Sequence, residues 1–401
     1  MKVTVERDAL APALDTAFAC VQRKAIIPIL SCFRLTAGNA QLRVTANDMD
    51  ASIEVSIPAQ VDVAGDVAVS AETLRTLVRN SAQGAQVAID ATGQRASVRI
   101  SRSRYAIAAM ATTDWPPSRT IDDADHAARF IITARDVSPL FQRGAPFVPD
   151  IEKRPTFAGM WLHIHEGRLW SLVTNGTHLL GTSSTLAEGD SPAEDFHFTN
   201  ANGEERDGIV IPANTADGLA RVLQGGGVIS TNGNTIVAEA GGVRFAGGLI
   251  DNRFPPAWRV VPPIGECRVT VDRGELVATL KRLTALQTNE THLVLRASPG
   301  DDMLSAYLLR SSQEGEESLR MAEEADATFA AAFQLPLMVQ MMAALTRENV
   351  TLSLPRGQAV RVEDGDDGET VAVIMTVTNP QVDAIIAGAE EPAGSEEPAD
   401  A

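Results

Sequence analysis

The chain has 401 residues, of which 44% are hydrophobic, and a formal net charge of −18. No run of about 18 apolar residues predicts a membrane span, and the N-terminus lacks the apolar core of a signal peptide. Cys20, Cys32 and Cys267 are odd in number and scattered, which argues against a disulfide framework and against a zinc cluster. The acidic net charge, taken alone, argues against nucleic-acid binding.

A short pattern occurs three times and organises the chain. It consists of a few β-favouring residues, a charged turn with an arginine at a fixed place, and a helical pattern; the arginines are Arg7, Arg135 and Arg273. They recur roughly every 130 residues, which is the size of a small domain and too long for a solenoid repeat. The sequence therefore predicts three tandem α+β domains, at residues 1–121, 128–262 and 267–379.

Each copy predicts the same order of elements: a strand, a helix, further strands, a second helix and a closing meander. The helices are predicted at 7–19 and 71–80 in the first copy, 134–143 and 213–223 in the second, and 272–286 and 335–347 in the third. Two of the meanders end in an aromatic residue followed by two prolines, at Trp115 and Phe254.

Residues 380–401 are acidic and lack aromatic residues, which is typical of a disordered tail.

The distribution of charge is less acidic on the predicted helices than elsewhere. Five of the six helices have a small excess of lysine and arginine. A chain of this kind can hold a polyanion against its helices and repel it elsewhere. On charge alone, we favour the simpler interpretation, namely that helices tolerate arginine while loops collect aspartate.

The three repeated arginines have an unexpected position. Each is predicted in the first turn of a helix, where a positive charge is unfavourable to the helix dipole. This mismatch predicts that Arg7, Arg135 and Arg273 contact a phosphate or a carboxylate on a neighbouring strand.

The order of several motifs resembles the bacterial DNA polymerase III β-subunit family, the DNA sliding clamps. The resemblance covers roughly residues 1–378. The motifs that carry it are the opening Met-Lys-Val-Thr-Val-Glu-Arg, Pro28-Ile29-Leu30, Ser101-Arg102-Ser103-Arg104-Tyr105, Val173-Thr174-Asn175-Gly176, and Asp251-Asn252-Arg253-Phe254-Pro255 followed by Arg259-Val260.

The resemblance implies a DNA-clamp fold and a homodimer closed head to tail into a ring around double-stranded DNA. It implies a replication processivity factor that is not an enzyme, needs no cofactor, and acts in the cytoplasm at the nucleoid. Its partners would be a replicative DNA polymerase and clamp-loader subunits, bound through short peptide motifs. The alternative is a clamp-like paralogue that acts mainly as a protein-interaction scaffold with altered partner or DNA binding.

Matching by position, the resemblance implies three sets of site residues. The apolar peptide-binding pocket comprises Phe157, Thr174, Gly176, Leu179, Pro255, Arg259, Val260, Val373 and Met375. The DNA-binding residues are Lys24, Arg75, Arg79, Lys153, Arg154, Arg221, Lys281 and Arg282. The dimer interface contains Tyr105 and Ile107 on one side and Ala285 and Leu286 on the other.

The chain departs from the family pattern at the pocket. The family's His-Arg after the glycine is here Thr177-His178, and its closing Met-Pro-Met-Arg-Leu is here Met375-Thr376-Val377-Thr378-Asn379. These differences change the residues at the rim of the pocket.

Other chemistry has little support in the sequence. His163 and His165 share one face of a predicted strand, a spacing that can present two imidazoles to zinc. No cysteine pair or His-Glu-x-x-His motif accompanies them, and the repeat places them on a plain surface strand, so we predict no metal site. The sequence also has no Gly-x-Ser-x-Gly motif and no glycine-rich phosphate loop.

Overall fold

The structure is a computed structural model. It describes residues 1–22, 25–121, 128–132, 137–150, 152–186, 197–200, 203–265, 267–287, 292–309, 315–354, 359–365 and 368–378. The chain separates into two compact units. The first comprises Met1–Ala145, Gly159–Trp170 and Ser184–Arg253, and the second comprises Pro146–Ala158, Ser171–Ser183 and the described residues from Phe254 onward.

The described residues form six α-helices. They are α1 Arg7–Ala17, α2 Ala71–Arg79, α3 Ser138–Gln142, α4 Ala213–Val222, α5 Arg273–Thr284 and α6 Leu335–Ala344. Each begins near its predicted start except α3, because residues 133–136 lie outside the described residues. The predicted helix at 7–19 ends instead at Ala17 and continues as a 3-10 turn, Phe18–Cys20.

The strands of the first predicted domain are β1 Lys2–Glu6, β2 Cys32–Gly38, β3 Gln41–Asn47, β4 Ala51–Pro58, β5 Gln60–Val63, β6 Gly65–Ser70, β7 Gln86–Thr92, β8 Arg95–Ile100 and β9 Ser103–Met110. Those of the second are β10 Ala128–Ile132, β11 Met160–His165, β12 Arg168–Thr174, β13 His178–Thr185, β14 Phe198–Thr199, β15 Glu205–Arg206, β16 Ile209–Ile211, β17 Gly227–Thr231, β18 Thr235–Ala240 and β19 Val243–Gly248. Those of the third are β20 Cys267–Asp272, β21 His292–Ala297, β22 Met303–Leu309, β23 Glu316–Arg320, β24 Phe329–Phe333, β25 Asn349–Leu354, β26 Ala359–Asp364 and β27 Thr370–Met375.

The first unit contains one sheet of 13 strands, in the order β10-β17-β18-β19-β4-β3-β2-β6-β9-β8-β7-β1-β5. The antiparallel strands β17-β18-β19 continue into β4-β3-β2, because β19 pairs antiparallel with β4 from Val243–Val55 to Gly247–Ala51. Helices α1 and α2 pack against each other, as do α3 and α4. Fully buried side chains such as Leu10, Leu14 and Phe33 fill the space between helix and sheet.

The second unit repeats this plan with α5 and α6. One sheet contributes the consecutive strands β13-β27-β26-β25-β20, and a second has the order β23-β22-β21-β24. Helices α5 and α6 pack together, and α6 buries Met338, Met341 and Met342. The prediction of an α+β fold built from antiparallel sheets is confirmed, whereas the division into three domains stays a prediction.

Two of the repeated arginines, Arg7 and Arg273, each join the two helices of a pair. Arg7 Nη2 donates a hydrogen bond to the carbonyl oxygen of Arg79, the last residue of α2, at 3.0 Å. In the second unit, Arg273 Nε donates to the carbonyl oxygen of Arg347, just beyond α6, at 2.8 Å. The start of one helix therefore lies beside the end of the next. The carbonyl end of a helix attracts positive charge, which offsets the unfavourable place of each arginine in its own helix.

Arg273 makes this main-chain contact and has no ion pair with a carboxylate of the described residues, whereas the predicted contact of the repeated arginines with a phosphate stays a prediction. Arg7 has the same carbonyl contact and an ion pair with the adjacent Asp8, 3.1 Å away, within its own helix. Arg135 lies outside the described residues.

We predict that Arg273→Met lowers the free energy of unfolding by about 1–2 kcal/mol, because a charge-assisted hydrogen bond to a helix-end carbonyl is lost. Urea denaturation followed by circular dichroism measures this. Arg296→Met is the matched control, since Arg296 lies in the same unit and has no ion pair to a described residue. Equal losses in both variants would contradict the role of the Arg273 contact.

Candidate peptide-binding and DNA-binding surfaces

An apolar row lies on one face of the sheet in the second unit. Leu179 on β13 is the cross-strand partner of Val373 on β27, and Met375 lies two residues further along β27. Partners across an antiparallel pair and alternate residues along a strand share a face. Leu179 and Val373 are buried, whereas Met375 is 41% exposed. Three predicted pocket residues are therefore neighbours; we call their side of the sheet the pocket face.

Residues 254–265, the covering segment, are held against the pocket face by two hydrogen bonds. The backbone N–H of Gly265 donates to Ser353 Oγ at 2.6 Å, and Arg361 Nη1 donates to the carbonyl oxygen of Pro262 at 3.3 Å. Arg361 is the cross-strand partner of both Ser353 and Val373. The covering segment therefore lies next to the apolar row.

The covering segment presents the other predicted pocket residues. Phe254 and Ala257 are buried and anchor it. Pro255 is half-buried and Arg259 is exposed, while Val260 is 61% exposed. The result is a surface with apolar walls and a positively charged side chain at its edge, which suits the apolar side chains of an extended peptide.

The turn between β12 and β13 borders this surface and is held by several hydrogen bonds within the turn. Thr174 Oγ1 donates to the carbonyl oxygen of His178 at 2.7 Å and accepts from the N–H of Gly176 at 3.1 Å. Asn175 Oδ1 accepts from the N–H groups of Thr177 and His178 at 3.0 and 3.2 Å. The same turn recurs around Asn232, where Thr231 and Asn232 take these roles. Thr174 is therefore a structural part of the pocket rim.

Phe157 packs directly on this turn. Gly176 has φ +88°, and a methyl group added to it would lie 3.3 Å from Phe157 Cε2 and 3.4 Å from Arg154 Nη1. Arg154 Nη1 donates a short hydrogen bond to the carbonyl oxygen of Asn175. Arg154, which we predicted to bind DNA, therefore contacts the pocket rim, and its contact with DNA stays a prediction. No sequence motif signals this contact, because it joins residues 21 positions apart.

His178 replaces a family residue at this rim and is buried. Its ring lies edge to face with Phe147, with ring centroids 4.8 Å apart. Burial lowers the pKa of His178 from 6.5 to about 4, so the imidazole is neutral at pH 7. Thr177 Oγ1 lies 3.4 Å from His178 Nδ1, but it also lies 2.8 Å from Asn175 Oδ1, which accepts its proton. This pair therefore has none of the geometry of an activated nucleophile and its base.

Four of the predicted DNA-binding cations are already engaged. Arg75 forms an ion pair with Asp15 at 2.5 Å and stacks over the Phe18 ring. Arg282 binds Glu317 and holds the pKa of that carboxyl below its usual range. Lys153 has a longer contact of 3.8 Å with Asp150, and Arg154 is engaged as above.

Three others are free within the part of the chain that the structure describes. Arg79, Arg221 and Lys281 are exposed and have no carboxylate oxygen within 4.0 Å. Each lies in the last turn of its helix, where a positive charge also favours the helix dipole. Lys24 lies outside the described residues.

The predicted interface residues differ in exposure. Tyr105 is 39% exposed, whereas Ile107, on the same face of β9, is 8% exposed and belongs to the core. Ala285 is exposed at the end of α5, and Leu286 is half-buried and packs near Gly315.

Two strand edges are available near these interface residues. In the first unit, β9 pairs with β6 only at Met110 and Ala109, which leaves the edge of residues 103–107 open among the described strands. In the second unit, β23 is the last strand of its sheet. Open edges of this kind pair readily with strands of another chain.

The expectation that His163 and His165 lie on a plain surface strand is wrong. Five of the six residues of β11 are buried, and the His163 ring stacks on Trp161 with ring centroids 3.6 Å apart. Burial lowers the pKa of His163 to about 3. Within the described residues, no group of three or more histidine, cysteine or acidic side chains is arranged to hold a metal ion.

None of the helices among the described residues is long and apolar enough to cross a membrane.

Comparison with known proteins gives a consistent result. Residues 1–120 match the family model described as DNA polymerase III beta subunit, N-terminal domain. The chain is 25% identical to the Beta sliding clamp of Pseudomonas aeruginosa, covering 94% of this chain and 99% of that protein. It is 23% identical to the Beta sliding clamp of Escherichia coli K12, with the same coverage.

Solved structures share the fold. A crystal structure of the DNA polymerase sliding clamp from Pseudomonas aeruginosa superposes with a TM-score of 0.81 at 22% identity, over 94% of this chain and 100% of that one. The DNA polymerase sliding clamp from Caulobacter crescentus gives a TM-score of 0.78 at 21% identity, with the same coverage.

We predict that Gly176→Ala lowers the free energy of unfolding by about 1–3 kcal/mol, because it places a side chain at positive φ and crowds Phe157. Gly300→Ala is the control: Gly300 lies in the same unit with φ +85°, and an added methyl group would meet nothing within 4 Å. Denaturant unfolding compares the two. Equal losses would show that Phe157 does not depend on the glycine.

We also predict that His178 makes the protein less stable in acid. Its pKa is about 4 when folded and 6.5 ordinarily, so the unfolded chain takes up the proton first. Stability from the neutral ring is complete above pH 6.5 and is lost as the pH falls towards 4. When the pH is lowered from 7.5 to 4.5, the free energy of unfolding should therefore fall by about 2 kcal/mol less in His178→Phe than in the wild type. Unfolding curves at both pH values test this; parallel pH dependences would refute it.

Proposed function

We propose that the chain is a DNA sliding clamp of the DNA polymerase III β-subunit family, a non-catalytic protein that encircles double-stranded DNA and tethers a replicative polymerase to it. The observation that carries this proposal is the alignment with Beta sliding clamps, which runs over nearly the whole length of both chains. It would act in the cytoplasm, at the nucleoid.

The DNA contacts that we propose are few and made to phosphates. Arg79, Arg221 and Lys281 are the described candidates that no carboxylate neutralises, and Lys24 is added by its position in the sequence. Phosphate contacts hold DNA without reading its sequence, and few contacts give a weak salt dependence. Such a surface suits a protein that must move along DNA.

Partner binding is proposed at the pocket face. Leu179, Val373 and Met375 offer apolar contacts, and Val260 and Arg259 stand exposed on the covering segment. Polymerase and clamp-loader subunits would insert the apolar side chains of a short extended motif here.

A head-to-tail homodimer is proposed through the two open strand edges, β9 of one subunit and β23 of the other. Arg99 and Arg104 are cross-strand partners at the β9 edge, and like charges directly opposite each other are unfavourable. Glu316 on β23 is exposed and supplies the opposite charge. Tyr105 would lie in this contact.

A second candidate function is a clamp-like scaffold that binds partners but holds DNA poorly. The observation that favours it is the engagement of Arg75, Lys153, Arg154 and Arg282 by groups of the same chain, since a cation with such a partner binds a phosphate less readily than a free one.

Loading onto nicked circular DNA with the cognate clamp loader and ATP separates the two functions. A clamp should co-elute with the circle in gel filtration, resist a high-salt wash, and be released when a restriction enzyme linearises the circle. Cognate polymerase should then extend primers with higher processivity on the circle. Peptide binding without retention on circular DNA would favour the scaffold and contradict the clamp.

A further inference from the structure

Apolar side chains remain exposed in the second unit beside the pocket face. Val260 is 61%, Ile264 53% and Met375 41% exposed. Large apolar side chains grouped in this way mark a surface that another segment covers.

The chain leaves β27 at the pocket-face residue Met375 and then reaches β24 of the second sheet, where Val377 packs against Val294 and Ala332. Met375, the last residue of β27, donates its N–H to the carbonyl oxygen of Thr177 at 2.9 Å. Two residues later, the N–H of Val377 donates to the carbonyl oxygen of Ala332 at 2.7 Å. Thr378 is three residues past Met375 and therefore lies within about 11 Å of it, since an extended chain spans at most about 3.6 Å per residue.

The sequence after Thr378 contains a single apolar cluster. Val382, Ile385 and Ile386 stand within an otherwise small and acidic stretch, with Asp383 among them. Ile386 is eight residues past Thr378, a reach of up to about 28 Å, which is enough to return to the pocket face. The exposed Arg259 offers a charge partner for Asp383.

We propose that residues 382–386 dock on the pocket face of their own chain and compete with partner peptides. The inference rests on the proposed function only in taking the pocket face as a peptide site. The apolar side chains of Val382, Ile385 and Ile386 cover Met375 and Val260, and the acidic residues that follow stay in solvent.

Tethering makes a weak contact effective. A short flexible tether gives an effective concentration of about 1 mM. If the free segment binds with a Kd of about 100 µM, the tethered one weakens binding of an outside peptide about tenfold. A partner with a tighter or repeated motif displaces the segment, whereas a weak one does not.

The test uses full-length protein and a fluorescein-labelled synthetic peptide of residues 379–389, read by fluorescence anisotropy. The variant I385D/I386D should release the pocket face and bind the peptide about tenfold more tightly than the wild type. The control A393D/A399D adds the same two charges further along the chain and should bind as the wild type does. Adding Val260→Asp to I385D/I386D should abolish the gain; Val260 is mostly exposed, so this change leaves the fold intact.

Three outcomes would overturn the proposal: no binding of the peptide to I385D/I386D, equal affinities of I385D/I386D and the wild type, or binding that Val260→Asp does not weaken. None of these measurements involves DNA, a loader or a polymerase. A failure here therefore leaves the clamp function standing, and a failure of DNA loading leaves the docking result standing.

Discussion

Two helix pairs, α1 with α2 and α5 with α6, share one electrostatic contact, in which an arginine at the start of the first helix binds a main-chain carbonyl at or just beyond the end of the second. Arg7 and Arg273 make this contact in the two units. Because the contact brings opposite helix ends together, it fixes the antiparallel direction of each pair. It also explains why arginine recurs in a place that is unfavourable for an isolated helix.

Much of the fold follows from local pattern, because alternation of apolar residues and the repeat itself predict most strands and helices. Some elements lack such a pattern, for physical reasons. Strand β13 is built largely of Leu, Gly, Ser and Thr, without an apolar alternation, yet it is almost wholly buried. Strand β11 buries His163 by stacking it on Trp161, which no periodicity reveals. The short strands β14 and β23 have little pattern of their own.

The candidate sites divide in the same way. Leu179, Val373 and Met375 were assigned by resemblance, and their adjacency follows from strand register, which the structure supplies. Which of the predicted DNA-binding cations are free could not be predicted from the sequence, because most of their partners lie far away in the chain. Arg282 meets Glu317 and Arg75 meets Asp15. A charge count treats these cations as equivalent to Lys281, although only Lys281 among the three is unpaired within the described residues.

The two open strand edges have a consequence for assembly. When an edge of one subunit pairs with a different edge of the next subunit, the contact is heterologous. Such contacts give either a closed ring or an endless filament. The rotation between successive subunits decides between these results, while the strength of the contact does not. A substitution that tilts β9 or β23 without weakening its pairing would therefore change a finite assembly into a fibre, so the geometry of these edges is under tighter constraint than their chemistry.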